Sequence, residues 1–172
     1  KTRMLAPSAI AAQAEIFTAG GMKPMPTPEP MSLADIDEVV ADYGRAAQRC
    51  VSAGFDGVEL HCASGYLPGQ FLASGSNQRE DEYGGSLANR LRFIERVIDV
   101  LANVIGVARV GLRISPGNPY NDHIDATPEA TYAGLLQLAE RVGIAWVHAI
   151  RMPSTGIDSL ALTRANYSGA VI

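Results

Sequence analysis

The sequence predicts an α/β fold, a parallel sheet built from βα units, on three observations. Apolar residues recur at alternating three- and four-residue spacing through three long segments, as they do in helices that bury one face. Between those segments lie strand-length runs in which apolar and polar residues alternate. The order strand, helix, strand then repeats along the chain, which requires crossover connections and therefore parallel pairing. A chain of 172 residues is about one domain's worth.

The first ordered signal is Lys23 to Pro30, in which every second residue is proline. It must be extended, because proline can neither continue a helix nor donate to a ladder. Ser32-Leu33-Ala34-Asp35 reads as a capping-box-like helix start. Leu33, Ile36, Val40, Tyr43, Ala47 and Cys50 form one apolar face, and Gly54 closes the helix as the residue after its cap. Phe55 to His61 reads as a strand, and a long polar loop is expected from there to Ser86. Leu87, Leu91, Ile94, Val97, Ile98, Leu101 and Ile105 mark a second amphipathic helix. Arg109 to Ser115 is a second strand. Thr127-Pro128-Glu129 is an N-cap followed by proline at the first helical position. The helix it opens passes through Leu135, Leu138 and Val142 and ends at Gly143. Ile144 to Ile150 is a third strand, followed by a short helix over Asp158–Asn166 and a terminal Ala170-Val171-Ile172.

Composition narrows the function. Hydrophobic residues at 47% with 19% charged are ordinary for a folded globular chain, so disorder is not expected. A net charge of −4 gives no reason to expect nucleic acid or an anionic membrane as partner. The longest apolar runs are strand-sized, far short of the roughly 20 residues that span a bilayer. The chain opens on Lys-Thr-Arg without an apolar h-region, so no signal peptide is read there. Cys50 and Cys62 lack metal or redox spacing and read as reduced packing thiols in a cytoplasmic protein.

A parallel sheet can be doubly wound or closed into a barrel. No Gly-rich phosphate fingerprint follows the first strand, which weakens the dinucleotide-binding version. Alternate side chains of a strand share a face. Glu59 and His61 therefore lie together, as do Gly111, Arg113 and Ser115, while Val58, Leu60, Val110, Leu112 and Ile114 face the helices. Charged and imidazole groups near the C-terminal ends of the strands are where a barrel builds its active site.

Four blocks carry a resemblance to a known family. They are Ala6-Pro7-Ser8-Ala9-Ile10; Ala53-Gly54-Phe55-Asp56-Gly57-Val58-Glu59-Leu60-His61; the run from Gly65-Tyr66-Leu67 through Asn77-Gln78-Arg79-Glu80-Asp81-Glu82-Tyr83-Gly84-Gly85-Ser86 to Asn89-Arg90; and Val110-Gly111-Leu112-Arg113-Ile114-Ser115-Pro116. In this order they resemble the Old Yellow Enzyme family, and Tyr83-Gly84-Gly85-Ser86 with Asn89-Arg90 is the most specific piece. The resemblance implies a TIM (β/α)₈ barrel that binds FMN. It also implies an ene-reductase that passes hydride from NAD(P)H, through the flavin, to the C=C bond of an α,β-unsaturated carbonyl or nitro compound. Residues 1–172 are then expected to be the central portion of one such domain, about four βα units from the fourth strand to the beginning of the seventh, truncated at both ends. On its own such a portion is expected to bind FMN weakly or not at all, and its open strand edges make association of copies an expectation.

The resemblance also implies roles. His61 and Ser64 match the pair of donors to the substrate oxygen, although the family usually carries Asn or His where this chain has Ser64. Serine offers one short hydroxyl donor in place of a longer amide with two. Tyr66 matches the proton donor, and a phenol of ordinary pKa about 10 stays protonated at neutral pH. Arg113 matches the flavin-contacting arginine; read from the residues alone, it would form an interior ion pair with Glu59. Arg79, Asp81, Tyr83 and Arg90 read as structural, with Gly84-Gly85 needing unusual backbone angles, and His148 reads as a core or supporting histidine. Cys62, His61 and Glu59 match no metal site. Two alternatives stand beside the ene-reductase: a dienoyl-CoA or amine-oxidising relative on the same barrel, and a non-catalytic remnant.

Overall fold

The computed structural model describes residues 3–172. Its main sheet has four strands, β5 (Val58–Cys62), β6 (Val110–Ile114), β7 (Trp146–Ala149) and β8 (Ala170–Val171), in sequence order and all parallel. Four shorter strands precede it: β1 (Leu5–Ala6), β2 (Glu15–Thr18), β3 (Gly21–Pro24) and β4 (Glu29–Pro30). The helices are α1 (Leu33–Ser52), α2 (Leu67–Leu72), α3 (Leu87–Ile105), α4 (Pro128–Val142) and α5 (Ser159–Asn166). Neighbouring strands consecutive in sequence, with no reversal of order, are successive βα units of a (β/α)₈ barrel; a doubly wound sheet reverses its strand order at a switch point.

Helix α1 starts where the capping box was expected. Asp35 N–H donates to Ser32 Oγ at 3.1 Å, and Ser32 N–H donates back to Asp35 Oδ2 at 2.9 Å. The Ser32 hydroxyl and then the Arg3 guanidinium hold the Asp35 carboxyl down at about 2. Gly54, at φ 84°, ends the helix in the left-handed conformation expected of it. Helix α4 begins at Pro128 as expected, but Thr127 makes no side-chain cap. Its hydroxyl lies 3.5 Å from Thr131 Oγ1 instead, so proline's fixed φ sets this start.

Leu60, Cys62, Val110, Leu112, Ile114, Val147 and Ala149 turn to the helix side of the sheet and join Phe93, Ile94, Val97, Leu135, Leu136 and Ala139 in one core. Each fully buried Leu, Ile, Val or Phe among them contributes about 1.5–3 kcal/mol. Phe71 stacks on Phe93 with centroids 4.1 Å apart and planes at 9°; truncating either ring to alanine costs about 3–5 kcal/mol.

Two elements were not expected. The segment between His61 and Ser86 contains α2, six residues that anchor Phe71 and Leu72 in the core. It is too short to show helical periodicity, and Pro68 in its first turn read as loop. Running into the start of the proline run, β2 and β3 form an antiparallel hairpin with Glu15 opposite Pro24 and Thr18 opposite Gly21. Phe17 on it is 79% exposed, so no burial pattern announced the strand. The described residues contain no helix long and apolar enough to cross a membrane.

Candidate active site

The second face of the main sheet carries the polar side chains, because those of each strand alternate between faces. Register places His61 of β5, Arg113 of β6 and His148 of β7 in one row across three strands. Glu59, Gly111 and Trp146 form the row beneath it.

The expected Glu59–Arg113 ion pair does not form, and register is the reason. Glu59 stands opposite Gly111, two residues below Arg113. Its carboxylate is engaged elsewhere: Trp146 Nε1 donates to Oε2 at 2.7 Å, and His148 Nδ1 lies 3.3 Å from Oε1. Arg113 makes no ion pair among the described residues, and its Nε is buried without a hydrogen-bond partner. A buried guanidinium N–H lacking an acceptor is costly. This cation is therefore poised for an acceptor that the chain's own described side chains do not supply.

His61 sits beside that cation. Burial first, and the Arg113 charge second, push its pKa below the ordinary 6.5, against an opposing pull from Glu59. The imidazole is neutral at neutral pH and can present one N–H as a donor. Cys62, the next residue, faces the core, and burial pushes its thiol up and leaves it inert. No group of three or more His, Cys, Asp or Glu able to hold a metal ion occurs among the described residues.

Beyond β5 the chain turns through Ala63, Ser64 and Gly65 into α2. Tyr66 is the N-cap of that helix. Its ring centroid lies 5.1 Å from that of His61 at 41°, and the residue is half exposed. Ser64 has φ 59°, a left-handed conformation uncommon for serine. Its backbone N–H donates to Ser115 Oγ at 2.9 Å, and its carbonyl accepts from Asn121 Nδ2 at 2.9 Å. The structure thus brings His61, Tyr66 and Arg113 to the C-terminal ends of β5 and β6, with Ser64 in the connecting turn.

The segment after α2 is densely tied by internal bonds, although Arg90 Nε is buried without a partner. Arg79 pairs with Asp81 at 2.5 Å and donates to the carbonyls of Pro7 and Met31. Asn77 Nδ2 donates to the carbonyls of Phe71 and Tyr83, each at 2.7 Å. Arg90 donates to the Leu72 carbonyl and lies 3.5 Å from Asp125. Of the two glycines, only Gly85 has positive φ, at 74°. Gly84 is required by space: a Cβ there would lie 2.1 Å from the Arg79 carbonyl oxygen.

Sequence reasoning did not single out Asn121, which bonds Ser64, or Trp146 as a ligand of Glu59. Asn121 stands in Asn118-Pro119-Tyr120-Asn121-Asp122, a turn-rich composition that marks a loop but not what the loop touches.

Comparison with known proteins matches residues 2–160 to the NADH:flavin oxidoreductase / NADH oxidase family. A probable flavin mononucleotide-dependent alkene reductase of Leishmania infantum is 42% identical over 98% of this chain and 48% of its own length. Arabidopsis thaliana 12-oxophytodienoate reductase 2 is 43% identical over 75% of this chain and 35% of its own. Morphinone reductase in complex with tetrahydroNAD superposes with TM-score 0.90 at 37% identity, over 99% of this chain and 48% of that one. The Old Yellow Enzyme homologue from Zymomonas mobilis gives 0.91 at 29% identity, over 99% and 50%. The chain spans about half the length of these relatives or less. A family match over most of the chain makes this chain a member of the NADH:flavin oxidoreductase / NADH oxidase family.

Proposed function

We propose that the protein is an FMN-dependent ene-reductase that takes reducing equivalents from NAD(P)H and reduces the C=C bond of α,β-unsaturated carbonyl or nitro compounds. The observation that carries this reading is the Arg113 guanidinium, without an ion pair among the described residues and with a buried, unpartnered Nε, in line with His61 on the adjacent strand, whose ring lies beside that of Tyr66. An electron-rich ring edge bearing hydrogen-bond acceptors fits that guanidinium, and Arg113 is the residue here that would hold the flavin. When bound, FMN supplies the hydride exchange between nicotinamide and substrate.

The chain's own residues supply the rest. Negative charge gathers on the substrate oxygen as the β-carbon is reduced, and a neutral imidazole N–H aimed there stabilises it. His61 provides that donor; with its pKa held below 6.5, it keeps one nitrogen protonated and does not surrender a full charge. Ser64 is the proposed second donor. Removing one donor of this kind costs about 10²–10³ in rate. The α-carbon needs a proton, and Tyr66, half exposed and stacked obliquely near His61, is the proposed acid. Glu59 fixes Trp146 and His148 and keeps a carboxylate from neutralising Arg113. The unpaired Cys50 and Cys62 suit a reducing compartment, and the cytoplasm is the proposed setting.

The test is a visible spectrum of the full-length protein, followed by anaerobic titration with NADPH and reoxidation with 2-cyclohexenone. Flavin bands that bleach and return are expected. Protein that stays colourless after reconstitution with FMN would overturn the reading.

A further inference from the structure

We propose that Asn121 is a positioning residue for this site, its side-chain amide holding Ser64 in the left-handed conformation that fixes Tyr66 against His61. The inference rests on the ene-reductase reading for its consequence in the reaction, but the contact stands on geometry alone.

Among the described residues, the non-glycine residues with positive φ are Ser64 at 59°, Asn121 at 58° and Asp122 at 58°. Two of them meet through the bond from Asn121 Nδ2 to the Ser64 carbonyl, 2.9 Å. The left-handed region costs a residue with a Cβ roughly 1–2 kcal/mol. Asparagine and aspartate tolerate it best and serine has no such allowance. Such strain persists only where the surroundings over-determine the backbone, and here they do. The loop after β6 and helix α2 together hold the β5–α2 turn at successive polar groups. Ser64 N–H donates to Ser115 Oγ, and Ser115 is itself fully buried. Gln70 Nε2 donates to the Gly65 carbonyl at 2.9 Å, and His123 Nε2 is 3.0 Å from the Gly69 carbonyl. Gly65 admits the close approach, since a Cβ there would lie 2.8 Å from the Tyr120 carbonyl oxygen. Asp122, beside Asn121, accepts from Gln13 N–H at 2.9 Å and ties the loop from its other side.

Of these bonds, two reach the strained residue itself, Ser115 Oγ at its N–H and Asn121 Nδ2 at its carbonyl, and the Asn121 amide is the one that holds the carbonyl leading into Gly65 and Tyr66. Without it Ser64 relaxes toward the ordinary β or helical region. Tyr66, two residues on, turns with it, and the 5.1 Å spacing to His61 is lost. Displacements of about 1 Å at a reacting group cost on the order of 100-fold in rate.

A double-mutant cycle in the flavin-loaded full-length protein tests this. Asn121→Gly keeps the left-handed backbone of residue 121 and removes the amide. It is expected to slow flavin reoxidation by 2-cyclohexenone about 10- to 100-fold, while flavin reduction by NADPH changes by less than about twofold. In a Ser64→Gly background, where the residue needs no holding, the same change is expected to cost less than about twofold, because coupled residues are non-additive. Asn121→Asp, which keeps the shape but lacks the donor at neutral pH, should reproduce the loss. Equal losses in both backgrounds, or in both half-reactions, would overturn the role. If the protein holds no flavin, the functional reading falls and hydrogen exchange judges the clamp. The amides of Tyr66 and Gln70, which donate to the Ala63 and Tyr66 carbonyls, should then exchange about tenfold faster in Asn121→Gly and not in the double variant, and unchanged exchange would overturn it.

Discussion

The segment that follows α2 and the polar face of β6 treat charge in opposite ways. From Asn77 to Arg90 the arginine charges are paired: Arg79 by Asp81 and two carbonyls, Arg90 by the Leu72 carbonyl with Asp125 nearby, although Arg90 Nε is buried without a partner of its own. On β6, Arg113 has no ion pair among the described residues as well as a buried Nε with no partner, and it stands beside an imidazole held neutral. A cluster whose charges are paired has spent most of its hydrogen-bonding capacity on the fold. One with an unpaired charge is destabilising until something binds, which is the arrangement expected where strain and function coincide. The same contrast separates the glycines and Ser64. Gly84 relieves crowding with no strain, whereas Ser64 is held in a strained conformation at the site.

The largest effect expected from this contrast is on stability. Arg90→Met leaves Asp125, whose side chain is 4% exposed, without its cation and should cost about 3–5 kcal/mol by urea unfolding. Arg113→Met should leave the flavin-free protein within about 1 kcal/mol of its starting stability, since it removes an unpaired buried group, while weakening FMN binding. Comparable destabilisation by both would erase the distinction between the two regions.

Tyr66→Phe comes next, with substrate reduction slowed about 100-fold or more and flavin reduction by NADPH nearly unchanged. Stopped-flow rates showing equal loss in both half-reactions would remove Tyr66 from the acid's role. A third expectation concerns pH. The folded-state pKa of His61 lies below 6.5, so the unfolded chain takes up a proton that the folded one refuses. His61 thus contributes stability above about pH 6.5, which is lost as pH falls through its folded value. The acid limb of substrate reduction should fall below pH 6.5, and a limb at or above 6.5 would contradict the neutral donor.

The smallest effect is expected from Ser64→Asn. Asparagine enters the left-handed region more readily and reaches further, so stability should rise by a few tenths of a kcal/mol and phenolic ligands should bind more tightly. Ligand titration with unchanged or weaker affinity would argue against a donor at position 64.

Much of this was legible in the sequence. Helix α1 was fixed by its apolar period, by Ser32 with Asp35 and by Gly54, all local signals that act over one or two turns. The face of β5 that carries Glu59 and His61 followed from alternation alone, and so did the face of β6 that carries Arg113. The order of the elements implied parallel pairing, and the blocks around Tyr83-Gly84-Gly85-Ser86 pointed to the family. Helix α2 and the β2–β3 hairpin escaped because six helical residues, or a strand exposing Phe17, carry no period that a burial pattern could reveal.

Only the tertiary structure decided which polar groups meet. Placing Glu59 and Arg113 on one face could not say that register sets Glu59 opposite Gly111, and so delivers its carboxylate to Trp146 and His148, 87 and 89 residues away in the chain. Nor could local propensity show that Ser64 is left-handed, since serine on its own avoids that region and accepts it only when Ser115 and Asn121, 51 and 57 residues further on, bond both sides of its backbone. Local preferences set the elements because they depend on near neighbours along the chain. The site depends on contacts between residues far apart in sequence, and these exist only once the core has set the strands in register.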